Sequence, residues 1–316
     1  MYKKLIFFAF FVFVLGLVLT NRANAADPSL VGWWKFDDGS GNIAKDSSGN
    51  GNDGTLNGGA QWVEGQLGGA IEFNGSNSYV SAPHIPLNSR SFTIAMWVNP
   101  VLYTDQQVIF GQHQTGSQNL SIHFRLYGPN SGRVRMGFYS NDLDTSGNTI
   151  QENNWYHLTF WYDFENQNRR IYVNGAQEAE GSAGPFLGTS GETRIGQWNN
   201  NQWFRGIIDD VRIYSRALTD SEIIQAMIGI PPGVASEPSP ADEATDIPRD
   251  VTLSWKPGEF APAVNGHTIY LSESFNDVND GIGGTTVSAT SYTPAQRLDF
   301  ETIYYWRVDE VNAPPD

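Results

Sequence analysis

The carboxylates closest to a hydrolytic spacing are the adjacent pair Asp209 and Asp210 and the alternating pair Glu178 and Glu180. Glycoside hydrolysis needs two carboxyl groups roughly 5 to 10 Å apart across one cleft. Successive strand residues point to opposite faces, so Asp209 and Asp210 are not expected to converge. Glu178 and Glu180 share a face, but they follow the turn dipeptide Asn174-Gly175 and read as a solvated strand end. The five histidines, at 84, 113, 123, 157 and 267, show no metal-ligand spacing such as His-Glu-x-x-His. His157, on the face of Trp155 and Trp161, reads as a packed structural imidazole. No serine sits in a Gly-x-Ser-x-Gly elbow, and the Gly-rich stretch Gly49 to Gly59 lacks the lysine and helix of a phosphate loop. With no cysteine there is no thiolate nucleophile, thiolate metal site or disulfide. The sequence thus reads as a non-catalytic chain.

Binding chemistry is better represented. In Gln197-Trp198-Asn199-Asn200-Asn201-Gln202-Trp203, Trp198 and Trp203 flank Asn199 and Asn201. Indoles stack on sugar faces and amides bond hydroxyls, which makes this loop the candidate ligand site. His113, Arg125 and Tyr127 are placed on strands facing it. The competing reading is that the two indoles pack across a hairpin. Asp37, Asp38, Asp46 and Asp53 stand in two Gly/Asn-rich turns, where carboxylates and carbonyls either ligate a structural Ca²⁺ or simply make the turns. Asn276 to Gly281 is rejected as a calcium loop because Val278 occupies a ligand position.

These residues need a β-scaffold. From Leu30 to Tyr214 the chain alternates: Phe92, Ile94, Met96 and Val98 share one face, as do Tyr156, Leu158, Phe160 and Tyr162. About a dozen such strands are expected, folded as a jelly roll of two sheets. Thr219 with Glu222 forms a capping-box pattern before Ile223, Ile224 and Met227, which predicts one short helix covering a sandwich edge. The Pro-, Ser- and Glu-rich stretch 230–240 reads as a linker closing a first domain at 26–229. Residues 241–316 carry strands at Val251 to Trp255, His267 to Leu271, Thr285 to Ser288 and Thr302 to Val308, spaced as in an incomplete immunoglobulin-like sandwich. That incompleteness leads us to expect chain beyond Asp316.

Lys3 and Lys4, the uncharged run Leu5 to Leu19 and Ala23-Asn24-Ala25 have the form of a cleavable export signal over 1–25. The run is too short to span a bilayer, so no membrane insertion is expected after cleavage, and the protein is placed outside the cell or on its surface. The 316-residue chain has a formal charge of −15, which disfavours nucleic acid as a partner. A glycan or an extracellular protein is the expected partner.

Seven segments in order resemble the laminin-G-like jelly-roll family of the concanavalin A-like lectin/glucanase fold. They are GWWKFDDGSGN from Gly32, KDSSGNGNDGTL from Lys45, GGAIEFNGSNSYV from Gly68, FTIAMWVNP from Phe92, NWYHLTFWYD from Asn154, RIYVNG from Arg170 and GIIDDVRIYSRALTDSEI from Gly206. Ser78 departs from the aspartate common in the family. TLSWKPG from Thr252 and YYWRVDEVN from Tyr304 are similar to a partial fibronectin type III-like module. The resemblance implies an all-β recognition or adhesion module binding carbohydrate or protein. It also implies that Asp209, on a late strand packed against the first, joins Asp38 and Asp46 in a calcium site. Two other roles stay open: the accessory front of a larger secreted carbohydrate-active enzyme, and a structural spacer of a surface protein.

Overall fold

The computed structural model describes residues 13–16, 27–102, 106–128, 131–229, 234–242, 244–258 and 261–310. They fall into two compact units, one spanning Ser29–Gly229 and a second that includes the residues after it. The described residues are all-β apart from two short helices.

In the first unit two eight-stranded antiparallel sheets face each other as a jelly roll. One runs in the order Asp142–Asp144, Val134–Gly137, Ile122–Leu126, Gln107–Gln112, Thr193–Ile195, Tyr79–Ala82, Gly54–Asn57, Ile43–Ala44. The other centres on Phe92–Pro100, held between Tyr156–Asp163 and Arg205–Tyr214, with Leu30–Trp34 also pairing to the last of these. Strand alternation builds the core between them. Ile122, Phe124 and Leu126 point inward from one sheet, and Leu158, Phe160 and Tyr162 from the other. Phe124 and Phe160 stack across the interior with centroids 4.1 Å apart. Burying one such ring contributes about 1.5–3 kcal/mol.

The expected strands at Phe92 and Trp155 are present as Phe92–Pro100 and Tyr156–Asp163. Asn174 and Gly175 both take positive φ, 51° and 78°, as a two-residue hairpin demands. The helix forms over Asp220–Met227 with the full capping box between Thr219 and Glu222. It does not cover an edge. Ile223 enters a second apolar cluster with Leu30, Trp161, Tyr172, Tyr214 and Leu218, and Trp97 Nε1 donates to the Met227 carbonyl at 3.0 Å. The helix therefore lies over the outer face of the sheet that holds Trp97 and Trp161. Among the described residues, the outer face of the opposite sheet has no helix of its own.

The second unit is a small sandwich. Ser236–Ser239, Leu253–Lys256 and Ser291–Tyr292 form one sheet; Thr285–Val287, His267–Ser272 and Ile303–Glu310 form the other. Leu253, Trp255, Ile269, Leu298 and Trp306 are its core. Ser236–Ser239 is a strand, so the stretch read as linker to residue 240 already belongs to a sheet. The proposed signal lies outside the described residues except Phe13–Gly16, a strand parallel to Ile303–Glu310.

Candidate functional site

The helix-free sheet face gathers most of the sequence-level ligand candidates. Since Ile122, Phe124 and Leu126 face the core, His123, Arg125 and Tyr127 face outward. The turn Trp198 to Asn201 folds back over them. Asn199 and Asn200 take φ of 48° and 57°, and the turn is closed by paired backbone bonds between Trp198 and Asn201. Trp198 then meets His113 edge-on at 5.1 Å and His123 at 5.3 Å, with the Arg125 guanidinium 5.2 Å from its ring. Tyr139 flanks the same indole at 6.2 Å.

Two glycines make this packing feasible. A Cβ on Gly111 would come within 2.9 Å of Trp198 Cδ1, and one on Gly137 within 2.1 Å of His123 Cε1. Each therefore lets an aromatic ring lie directly on the sheet.

The expected stacking platform differs in detail. Trp198 is only 8% exposed, because the turn tucks it against the sheet rather than offering it to solvent. Trp203 is half-buried and packs against Tyr79 at 5.9 Å. Asn199 and Asn201 are exposed at the tip. Beside it opens a pocket of about 260 Å³ lined by His113, Gly191, Glu192, Arg194, Asn199 and Asn200.

Charge on this face is arranged unevenly. Arg135 grips Asp144 with two bonds of 2.6 and 2.8 Å and reaches Asp142 at 2.9 Å. Arg133 and Arg135 both lie over the Tyr127 ring, at 4.9 and 5.0 Å. Arg194 pairs with Glu192 at 3.1 Å. Arg125 instead donates to the neutral Gln106 Oε1 at 2.5 Å, and its Nε has no partner. Burial lowers its pKa, and a histidine beside it feels the same setting: burial, then Arg125 and Arg135, hold His123 down to about 3. Burial followed by Arg194 also lowers His113, while burial raises the Tyr127 phenol. His123, Tyr139, Arg135 and Arg194 were not singled out in the sequence; glycines 111 and 137 inside strands were the available signal.

The acidic candidates do not assemble in this way. Asp46 accepts Trp33 and Ser48 N–H on one oxygen and Asn52 N–H on the other. Asp38 accepts the Lys45 N–H at 3.0 Å. Asp209, fully buried, accepts Gln66 and Leu67 N–H, both at 2.8 Å. Each carboxylate binds a different set of backbone N–H groups, with Asp209 Oδ1 left unpartnered, and among the described residues no cluster of three or more metal-ligating acidic or histidine side chains occurs. The set does not fit a shared calcium ion, which would need six to eight converging oxygens. A bulge between Asp209 and Arg212, with Asp210 at φ 49°, breaks the strict alternation assumed for this pair. Asp210 is nonetheless tied to Trp33 Nε1 at 2.6 Å and to Arg212 at 2.9 Å, and both aspartates are buried. Ser78 is likewise buried, accepting the Asn74 N–H at 2.7 Å.

The sequence of residues 74–224 matches the concanavalin A-like lectin/glucanases superfamily. Among solved structures, domain 4 of an extracellular arabinanase from Geobacillus stearothermophilus, in complex with arabinotriose, is 24% identical. The match covers 63% of this chain and 98% of that one, with a TM-score of 0.50. The binding domain of Paraclostridial Mosquitocidal Protein 1 is 18% identical over 79% of this chain and 62% of its own, TM-score 0.50. The botulinum neurotoxin type G receptor-binding domain is 16% identical over 88% and 65%, TM-score 0.50. The chain thus spans less than two thirds of either toxin domain. These likenesses show the fold. No curated protein matches the chain. Among the described residues, no helix is long and apolar enough to cross a membrane.

Proposed function

We propose that this is an exported, non-catalytic recognition protein whose first domain binds carbohydrate on the helix-free outer sheet face. The observation that carries the reading is the convergence of Trp198, His113, His123, Arg125 and Tyr139 on that face beside an open pocket. Aromatic rings supply apolar area for sugar faces, and the surrounding amides and guanidinium groups supply directional bonds to hydroxyls. The arabinanase domain, holding arabinotriose, is one example of carbohydrate bound on this fold. Its place inside a larger enzyme also favours a second reading, in which this chain is the accessory region of a carbohydrate-active enzyme.

Catalysis has little support. Asp209 and Asp210 are buried, one accepting the Gln66 and Leu67 N–H groups and the other paired with Arg212, and the exposed Glu180 is tied to Asn168 and Arg170. The second unit, read as a fibronectin type III-like spacer, and export through residues 1–25 complete the proposal. A glycan array and a panel of extracellular proteins probed with the full chain test it. Retention of at least one oligosaccharide, weakened by His113→Ala without change in melting temperature, is expected. Capture of protein partners alone would replace the carbohydrate reading with an adhesion one.

A further inference from the structure

The outer face holds more hydrogen-bond donors than its own acceptors satisfy. The backbone N–H of Tyr139 donates to His123 Nε2 at 3.1 Å, so the ring proton of this neutral imidazole resides on Nδ1. That Nδ1, the Arg125 Nε and the Trp198 Nε1 are all buried and without a partner. The three residues are 2%, 9% and 8% exposed. One acceptor in the neighbourhood, Gln202 Oε1, is also unpartnered; its amide nitrogen is spent on Gln106 Oε1, the same atom that Arg125 uses. Unmet buried donors cost about 1–3 kcal/mol each, more when charged, which makes the cluster a poor design for stability alone.

The charge points the same way. Arg135, Arg194 and Arg212 are each paired with a carboxylate. Arg125 is held instead by the neutral Gln106 amide, the Trp198 ring and the Tyr127 hydroxyl, none of them a carboxylate. Asp142 acts on it only at longer range; its Oδ2 is held by Arg135 and its Oδ1 stands 3.6 Å from His123 Nε2. A buried cation with no carboxylate in direct contact, close to two further unmet donors, suits an anionic acceptor.

Resting on the carbohydrate reading above, we propose that Arg125, His123 and Trp198 form an anion-recognising subsite, so that the ligand is a polysaccharide bearing acidic groups on its sugar rings. The shared chemistry is a planar or tetrahedral oxyanion, supplied by a uronate carboxylate or a sulfate ester. The open pocket is lined by none of the three donors, but its wall residue His113 touches the Trp198 ring edge-on. Because the donors are sealed by the turn tip, entry of the anion requires the Trp198 indole to move. The tip is held there by side-chain bonds of Asn200 to Arg194 and Gln197, at 3.0 and 3.2 Å.

The experiment is calorimetric titration of the full chain with three oligosaccharides of equal length: a polyuronate, a sulfated glycan and a neutral glucan. The expected result is that one acidic oligosaccharide binds about tenfold or more tightly than the neutral one and weakens as salt rises. Arg125→Gln should abolish that preference, and Arg125→Lys should restore part of it, because charge returns without the planar fork. Should Arg125→Gln not fold, the salt dependence and acidic-over-neutral ratio of the unaltered chain still decide the matter. Equal binding of neutral and acidic sugars, or an unchanged acidic preference in a folded Arg125→Gln, overturns the anionic subsite while leaving carbohydrate recognition intact. Binding of none of the three on a chain that also fails the glycan array removes both.

Discussion

At the scale of single residues, the outer face depends on what is missing from Gly137 and Gly111. Any Cβ at 137 would displace the His123 ring, because the clash is with ring atoms held by the Tyr139 backbone. Gly137→Ala should therefore destabilise the domain by about 1–3 kcal/mol, read from chemical denaturation. Asp209 offers a pH test. Burial, aided by the Asp210 charge, pushes its pKa up to about 7, against about 4 in the unfolded chain. The folded state thus holds an extra proton between these values, so this group's contribution is full below about pH 4 and is lost as pH rises through about 7. Asp209→Asn should gain stability relative to the parent between pH 5 and pH 8. His123 and His157 act with the opposite sign. Burial is the leading cause that holds both near 3, so the unfolded chain binds protons first and stability falls as pH drops below about 6.5. Such coupling was invisible in the sequence, where His123 had no motif and His157 could only be read as packed.

At the scale of elements, local signals transferred well wherever chain neighbours decide the geometry. The capping box at Thr219 and the Asn174-Gly175 turn are set by residues within a few positions, and both form as read. What the helix covers is a tertiary choice, and the edge role inferred for it gave way to a face. Gly175 joins these levels: a Cβ there would sit 2.2 Å from Ile224 Cδ1 on the helix. Gly175→Ala should therefore cost more than the φ strain alone, about 2 kcal/mol in all, by thermal melting. The bulge at Asp210 marks the limit of period-2 reasoning, since an inserted residue leaves no trace in composition. Loops were harder still. The aspartates near the first strand were read either as ligating an ion or as making their turns; Asp38 and Asp46 accept backbone N–H donors there, and Asp209 accepts those of Gln66 and Leu67.

For the whole molecule, the two-sheet architecture was legible because inward positions alternate over many strands and fill a continuous core. The candidate face was partly legible: His113 and Arg125 lie against Trp198, Tyr127 is engaged by Arg133 and Arg135, and Trp203 lies against Tyr79. Their shared neighbourhood depends on register between distant strands, such as His123 opposite Gly111 and Gly137, which spacing along one chain does not encode. The separate core of Ser29–Gly229 predicts that this fragment folds alone. A dispersed amide spectrum and one cooperative melt would verify that.

The central claim is the location of the ligand. Hydrogen–deuterium exchange of the full chain, with and without the tightest oligosaccharide from the array, measures it directly. Protection concentrated in Ile122–Leu126, Val134–Gly137 and the 197–203 turn is predicted. Protection confined to the helix-covered face around Trp97 and Trp161 would contradict the account.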